Sequence, residues 1–221
     1  MNVLFISVHP DDETLGCGGT ILKHKQQGDN IYWLIVTRAI ESAGYSKSFI
    51  EKRKQQIKLV SDSYNFTQTY QLDFPTTKLH TVDFSVLIDE ISSVVRNVEP
   101  EIIYTVNRSD VHTDHQIVAR AVVSSTKSFR NPFIKRILMY ECLSETEISP
   151  PLPENIFIPN VYSNISDFLD KKIEIMRIYE SELQESPLPR SIENIRALAQ
   201  FRGATVGVKY AEAFMLLRDL F

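Results

Sequence analysis

The chain has 221 residues, 43% of them hydrophobic and 24% charged, and its 24 Lys+Arg against 28 Asp+Glu give a formal net charge of −4. No basic block stands out, which excludes nucleic acid as the expected partner, and the longest apolar run, residues 31–36, falls far short of the roughly 20 residues of a membrane span. A mean hydropathy of −0.15 and only two cysteines, Cys17 and Cys142, describe an ordinary soluble chain with no disulfide framework, expected in the cytoplasm and without a secretory leader.

Residues 3–8 form a short apolar run rich in β-formers, as a buried parallel strand would. A helical stretch ending at Gly28 follows, and residues 31–37 read as a second buried strand. Two such strands joined by a helix make a βαβ unit with a right-handed crossover. The pattern then predicts a helix over residues 46–64 and a weak strand over 69–72. Phe84, Leu87, Ile88, Ile91, Val94, Val95 and Val98 recur at steps of three and four, an amphipathic helix that Pro100 ends. Residues 101–106 read as a fourth strand, 114–129 as a helix and 137–140 as a fifth strand. Beyond residue 143 the alternation weakens, because six of the ten prolines fall between Pro150 and Pro189. This part is expected to be rich in loops, with helices over 166–182 and 191–202 and a last strand or short helix over 213–217. Nothing marks a second core. The expectation is one α/β domain over residues 1–221, a Rossmann-like three-layer α/β/α sandwich around a mostly parallel sheet.

Sheets of this kind bind ligands beyond the carboxyl ends of their strands. Two histidine–carboxylate clusters fall there: His9-Pro10-Asp11-Asp12-Glu13 after the first strand and His112-Thr113-Asp114-His115 after the fourth. Each has candidate ligands three residues apart, able to converge on one ion. In the second, Thr113 and Gln116 fit a capping box, with Thr113 as N-cap, His112 just before it and His115 in the first turn. The positive end of the helix dipole there favours a neutral, metal-binding His115. One such cluster alone reads equally as a decorated helix start; the pair at neighbouring strand ends points to a metal. Spacing does not tell which of Asp11 and Asp12 binds it.

At these residues the sequence resembles the PIG-L/LmbE family of zinc-dependent amino-sugar N-deacetylases, whose marks are a His-Pro-Asp-Asp segment after the first strand and a later Asp-His pair. Gly16-Cys17-Gly18-Gly19-Thr20 resembles its glycine-rich helix start. Pro189-Arg190-Ser191, Arg202-Gly203 and Tyr210-Ala211-Glu212-Ala213-Phe214 look like its C-terminal segments, so the resemblance covers nearly the whole chain. It implies a Zn²⁺, or another divalent metal, held by His9, Asp12 and His115. It further implies Asp11 as general base, and His112 near the reacting carbonyl. A protonated His112, oriented by a carboxylate such as Asp114, would then stabilise the oxyanion. The substrate implied is an N-acetylated amino sugar, such as an N-acetylglucosamine conjugate; a homo-oligomer is left open.

Arg53 is read separately. It shares a helix face with Phe49, Ile57 and Val60, where a guanidinium needs a buried carboxylate or a substrate oxygen unless it snorkels to solvent. The family often places a glutamate three residues after this arginine; here Gln56 stands instead. Substrate binding is the functional reading of Arg53. His24 and His80 read as solvated surface, Cys17 as a packing residue, and Arg190 and Arg202 as surface charge unless an anionic substrate group meets them. Glu13 reads as a helix-start acid or a residue behind the metal ligands. A dinucleotide site fits poorly, since the glycine run lacks the last glycine of GxGxxG and starts eight residues after Val8. A non-haem iron enzyme also uses two histidines and a carboxylate, and a non-catalytic metal- or sugar-binding protein is the remaining alternative.

Overall fold

The computed structural model describes every residue from Met1 to Phe221. Its first half alternates strictly: β1 (Asn2–Ser7), α1 (Asp12–Gln26), β2 (Asn30–Arg38), α2 (Lys47–Tyr64), β3 (Gln68–Pro75), α3 (Phe84–Val98), β4 (Ile102–Val106), α4 (Thr113–Ser125) and β5 (Arg136–Tyr140). After β5 come β6 (Val161–Asn164), α5 (Leu169–Met176), α6 (Ile192–Thr205) and β7 (Ala211–Asp219). All seven strands join one sheet in the order β3-β2-β1-β4-β5-β7-β6. The strands from β1 to β5 pair in parallel, and β7 and β6 close the edge antiparallel. Helices α1, α2, α5 and α6 pack as one group and α3 with α4 as another, so the sheet is the middle of three layers.

The strands at the centre are apolar because both faces are covered: Val3 to Ile6 and Trp33 to Val36 have no solvent exposure. Helix α3 buries Leu87, Ile91, Val94, Val95 and Val98 along one stripe, as its periodicity requires. Side-chain caps start the helices as the sequence suggests, with Ser46, Asp83 and Ser191 accepting backbone N–H groups of α2, α3 and α6.

The glycines of α1 serve packing. A Cβ on Gly16 would lie 2.2 Å from the Tyr140 ring, whose hydroxyl donates to the Ile6 carbonyl; one on Gly19 would lie 2.6 Å from Ile165. The run therefore lets β5 and the segment before α5 sit against α1, and it cradles no phosphate. At the same place the buried Glu212 accepts from the backbone of Gly19 and Thr20, and Lys172 bonds both Glu212 and the Leu15 carbonyl.

Several boundaries differ from expectation. The helix expected over residues 166–182 is only α5, and turns follow it through Tyr179 and Glu182. The undecided segment near residue 213 is β7, a nine-residue strand, and β6, too short and polar to announce itself, pairs with it. His24 is buried, not solvated: its Nδ1 meets Asp29 at 2.8 Å and its Nε2 meets the Tyr104 hydroxyl at 3.0 Å. No helix is long and apolar enough to cross a membrane.

Candidate active site

The chain leaves β1 toward β2 on one side, while β4 flanks β1 on the other, so β1/β4 is the point where strand order reverses. Both histidine–carboxylate clusters open there into a cavity of about 290 Å³, with His9, Asp11, Asp12, His112 and His115 on its walls. Asp12 opens α1 and turns back, its Oδ2 accepting the backbone N–H of Val8 at 2.9 Å and of His9 at 2.8 Å. Its Oδ1 lies 3.5 Å from His115 Nε2. His115 is buried, and its other nitrogen meets Asp110 Oδ2 at 2.8 Å, which leaves Nε2 facing Asp12. His9, Asp12 and His115 each bring one ligand atom within 4.8 Å of the others. A second set, His9, His112 and Asp114, meets the same criterion and shares His9.

The electrostatics of the first set favour a cation. Burial works to raise the Asp12 carboxyl, but His115 and His9 outweigh it and hold the group well below the usual carboxylate range. Burial likewise works to lower His115, and Asp12 and Asp110 overcome it, pushing the imidazole well above its ordinary value. The two carboxylates thus outweigh the helix dipole that was expected to keep His115 neutral, and two imidazoles with one carboxylate are donors suited to zinc.

Asp11 belongs to neither set. It adopts φ 145° and ψ −29° as the residue before α1, is almost fully buried, and its Oδ2 meets Arg190 Nη1 at 3.1 Å. Burial and the neighbouring Asp12 charge push its carboxyl well above the usual range, against the pull of Arg190. Glu13 beside it is wholly buried, and burial raises its carboxyl to about 7.

His112 is the N-cap of α4, not Thr113: its Nδ1 accepts the Asp114 N–H at 3.1 Å. The expected capping box does not form, because Gln116 Nε2 donates to the Asp110 carbonyl instead. The expected orientation of His112 by the Asp114 carboxylate is not made by a hydrogen bond, although a ligand atom of each lies within 4.8 Å of the other. The Asp114 carboxylate accepts from Thr77 N at 2.6 Å and Leu79 N at 3.2 Å and lies 3.4 Å from His9 Nε2. Burial and the adjoining His9 and His115 lower His112 to about 4. This lowering runs against the expected imidazolium, and with Nδ1 accepting, Nε2 is the position left for a ring N–H donor.

The rim comes from distant segments. Arg53 faces inward as its helical register predicts, donating to the Pro10 carbonyl at 3.0 Å and to Glu182, between the rings of Phe49 and Tyr179. The carboxylate missing at Gln56 is thus supplied by Glu182, and Gln56 itself bonds the Ile178 carbonyl. Arg190, read from the sequence as surface charge, binds Asp11, Glu182 and Ser144. Arg202 is engaged away from the cavity by both oxygens of Glu141. Tyr45 and Phe49 stack at 5.1 Å to form an aromatic wall. Sequence reasoning missed Asp110, Glu145, Glu182 and Cys142. Only Asp110 had a readable signal, as a carboxylate five residues before a candidate metal histidine.

Residues 4–126 match the family described as PIG-L, GlcNAc-PI de-N-acetylase. A diacetylchitobiose deacetylase from Thermococcus kodakarensis is 25% identical over 229 residues, covering 99% of this chain and 84% of that protein. A probable N-acetyl-alpha-D-glucosaminyl L-malate deacetylase 2 from Bacillus cereus is 26% identical over 191 residues, 83% of this chain and 84% of its own length. The solved N,N'-diacetylchitobiose deacetylase of Pyrococcus horikoshii superposes with a TM-score of 0.76 at 20% identity, covering 98% of this chain and 84% of that one, a likeness of fold.

Proposed function

The chain belongs to the PIG-L, GlcNAc-PI de-N-acetylase family, and on that premise we propose that it is a metal-dependent hydrolase removing the N-acetyl group of an amino sugar or amino-sugar conjugate. The observation that carries this reading is the convergence of His9, Asp12 and His115 within 4.8 Å, beside a further carboxylate, Asp11, on the same cavity. These three are the proposed metal ligands. The set built on His112 and Asp114 is less suited, since each Asp114 oxygen accepts a backbone N–H and His112 Nδ1 is taken, whereas Asp12 takes both of its backbone N–H groups on Oδ2 and keeps Oδ1 clear of them. Behind His115, Asp110 plays the carboxylate partner that fixes a ligand ring.

A zinc ion, when bound, supplies Lewis acidity that lowers the pKa of water and polarises a carbonyl. Asp11 takes the proton of the attacking water and later returns it to the leaving amine, a two-way transfer helped by a carboxyl pKa raised toward the working pH. His112 donates its Nε2–H to the developing oxyanion as a neutral ring. Asp114 acts only at a distance, fixing the loop at Thr77–Leu79 and the His9 ring. Tyr45 and Phe49 offer the sugar an apolar face, and Arg53 builds the wall between them and Glu182. The two curated relatives act on N-acetylglucosamine-containing molecules by their names, which supports an acetamido sugar as substrate.

The test is acetate release from N,N'-diacetylchitobiose, N-acetylglucosaminyl malate and methyl N-acetylglucosaminide, assayed as purified, after chelation, and with Zn²⁺ returned. Activity that chelation abolishes and zinc restores is expected on at least one of them. Unimpaired turnover in the metal-stripped protein, or no amide hydrolysis with bound metal on any of the three, overturns the proposal.

A further inference from the structure

Asp11 and Asp12 are neighbours in the chain yet face different ways. Asp12 folds back onto the N–H groups of Val8 and His9, whereas Asp11 reaches Arg190 across the cavity. The separation is made in the backbone: φ 145° at Asp11 lies in a region that residues with a side chain avoid. Such a conformation persists only where its surroundings over-determine it. The Asp11 carbonyl accepts the N–H groups of Thr14 at 3.0 Å and Leu15 at 2.9 Å, as any helix start would provide. Its own N–H donates to Glu13 Oε2 at 3.1 Å.

Glu13 is an unusual residue to find there. It has 0% exposure and no cation beside it, and an acid serving only the helix dipole gains as much in solvent. Instead its carboxylate is fully used within the protein. Oε2 takes the Asp11 N–H, and Oε1 accepts the hydroxyls of Thr14 at 2.7 Å and Tyr179 at 3.0 Å. Tyr64 in turn donates to Thr14 at 3.1 Å. Its carboxylate bonds none of the side chains of His9, Asp12 and His115, so a role behind the metal ligands does not describe it.

We propose that Glu13 is a positioning residue for the deacetylation: its Oε2 holds the Asp11 amide and with it the positive-φ backbone that aims the Asp11 carboxylate into the cavity, while Thr14 and Tyr179 fix the Glu13 rotamer. This rests on Asp11 being the base, as argued above. Without the acceptor, Asp11 relaxes and its carboxylate moves; a displacement of about 1 Å at a reacting group costs roughly 10²-fold in rate. The ligand set stays in place, because Asp12 is anchored independently by Val8 and His9.

The experiment compares Glu13→Met, which fills the volume without an acceptor, with Glu13→Gln, whose amide oxygen can still take the Asp11 N–H while the two hydroxyls turn to accept. Each is made alone and in an Asp11→Asn background, with kcat, KM and bound zinc measured. Glu13→Met is expected to lower kcat roughly 10²-fold with KM and zinc within a factor of about two. Glu13→Gln should keep at least about a third of kcat, and Glu13→Met should cost nothing further once Asp11 is Asn. Wild-type kcat in Glu13→Met, loss of zinc, a Glu13→Gln variant as poor as the methionine, or a double variant well below Asp11→Asn overturns the proposal. If the methionine variant does not fold, Glu13→Asp, one methylene too short to reach, carries the same expectation. Asp11→Asn alone judges the underlying reading: wild-type turnover there removes Asp11 as base, whatever Glu13 does.

Discussion

Two histidine–aspartate clusters stand at opposite ends of β1, and they are built differently. At the amino end, His24 has both ring nitrogens satisfied, by Asp29 and by Tyr104, and Asp29 also takes the terminal ammonium at 2.9 Å. At the carboxyl end three imidazoles crowd together, with ring centroids 4.6–5.4 Å apart, and His115 keeps one nitrogen facing Asp12 with no good hydrogen bond between them. The first cluster is closed and ties α1 to the sheet. The second has valence left over and a cavity in front of it. Residue types alone do not separate a structural cluster from a reactive one; the unspent bonds do.

The comparison breaks first at His115. On the proposed assignment, His115→Ala should abolish bound zinc and lower turnover by roughly 10³-fold or more, since several kcal/mol of charge stabilisation goes with the ion. Full zinc occupancy measured in that variant would move the ion to the His9, His112 and Asp114 set. Asp11→Asn comes next, with zinc retained and kcat down by roughly 10²–10⁴. Smaller again is His112→Gln, which replaces one neutral donor by another at a different reach. It should lower kcat by roughly 10²-fold at most and leave the pH–rate profile unchanged in shape. A neutral His112 that has already lost its extra proton near pH 4 contributes no limb at neutral pH. A flattened alkaline limb in that variant would restore the imidazolium.

The smallest effect belongs to the closed cluster. His24→Gln should leave kcat untouched and cost about 1–3 kcal/mol in urea unfolding, through polar groups left unpaired. The sign of its pH dependence follows from burial, which lowers the folded His24 below its ordinary 6.5 despite Asp29. Between that lowered value and 6.5 the unfolded chain binds more protons than the folded one. Wild-type stability therefore contains a part that is present above pH 6.5 and is lost as the pH falls, and the glutamine variant lacks that part. Asp29, held down by His24 and the terminus against its burial, adds a separate loss at lower pH, as the pH falls below its ordinary 3.8.

The alternating first half was legible because buried parallel strands are uniformly apolar and α3 carries a clean stripe; β1, β2, β4 and α3 fall within a residue or two of expectation. The edge was not, since β6 is four residues long, with Ser163 and Asn164 among them, and only its pairing with β7 makes it a strand. The meeting of His9, Asp12, His112 and His115 followed from two clusters after neighbouring strands. Which atom each residue presents did not follow: the cap of α4 falls on His112 instead of Thr113, and the Asp114 carboxylate meets Thr77, Leu79 and His9. Arg190 and Glu182 lay beyond reach for a different reason. They are 179 and 129 positions from their partners Asp11 and Arg53, in a loop-rich stretch with no periodicity to place them.

That stretch also lies outside residues 4–126, where the family match ends. The cavity thus has a floor that lies within that match, His9 to His115, and a mouth made by Ser144, Glu145, Glu182 and Arg190. Loops of this kind can be lengthened or exchanged with little damage to the sheet beneath, so what enters can change while the chemistry below stays fixed. The two parts are not wholly independent, however. Arg190 touches Asp11, and any exchanged mouth has to bring a cation back to that point or leave the proposed base without its guanidinium partner.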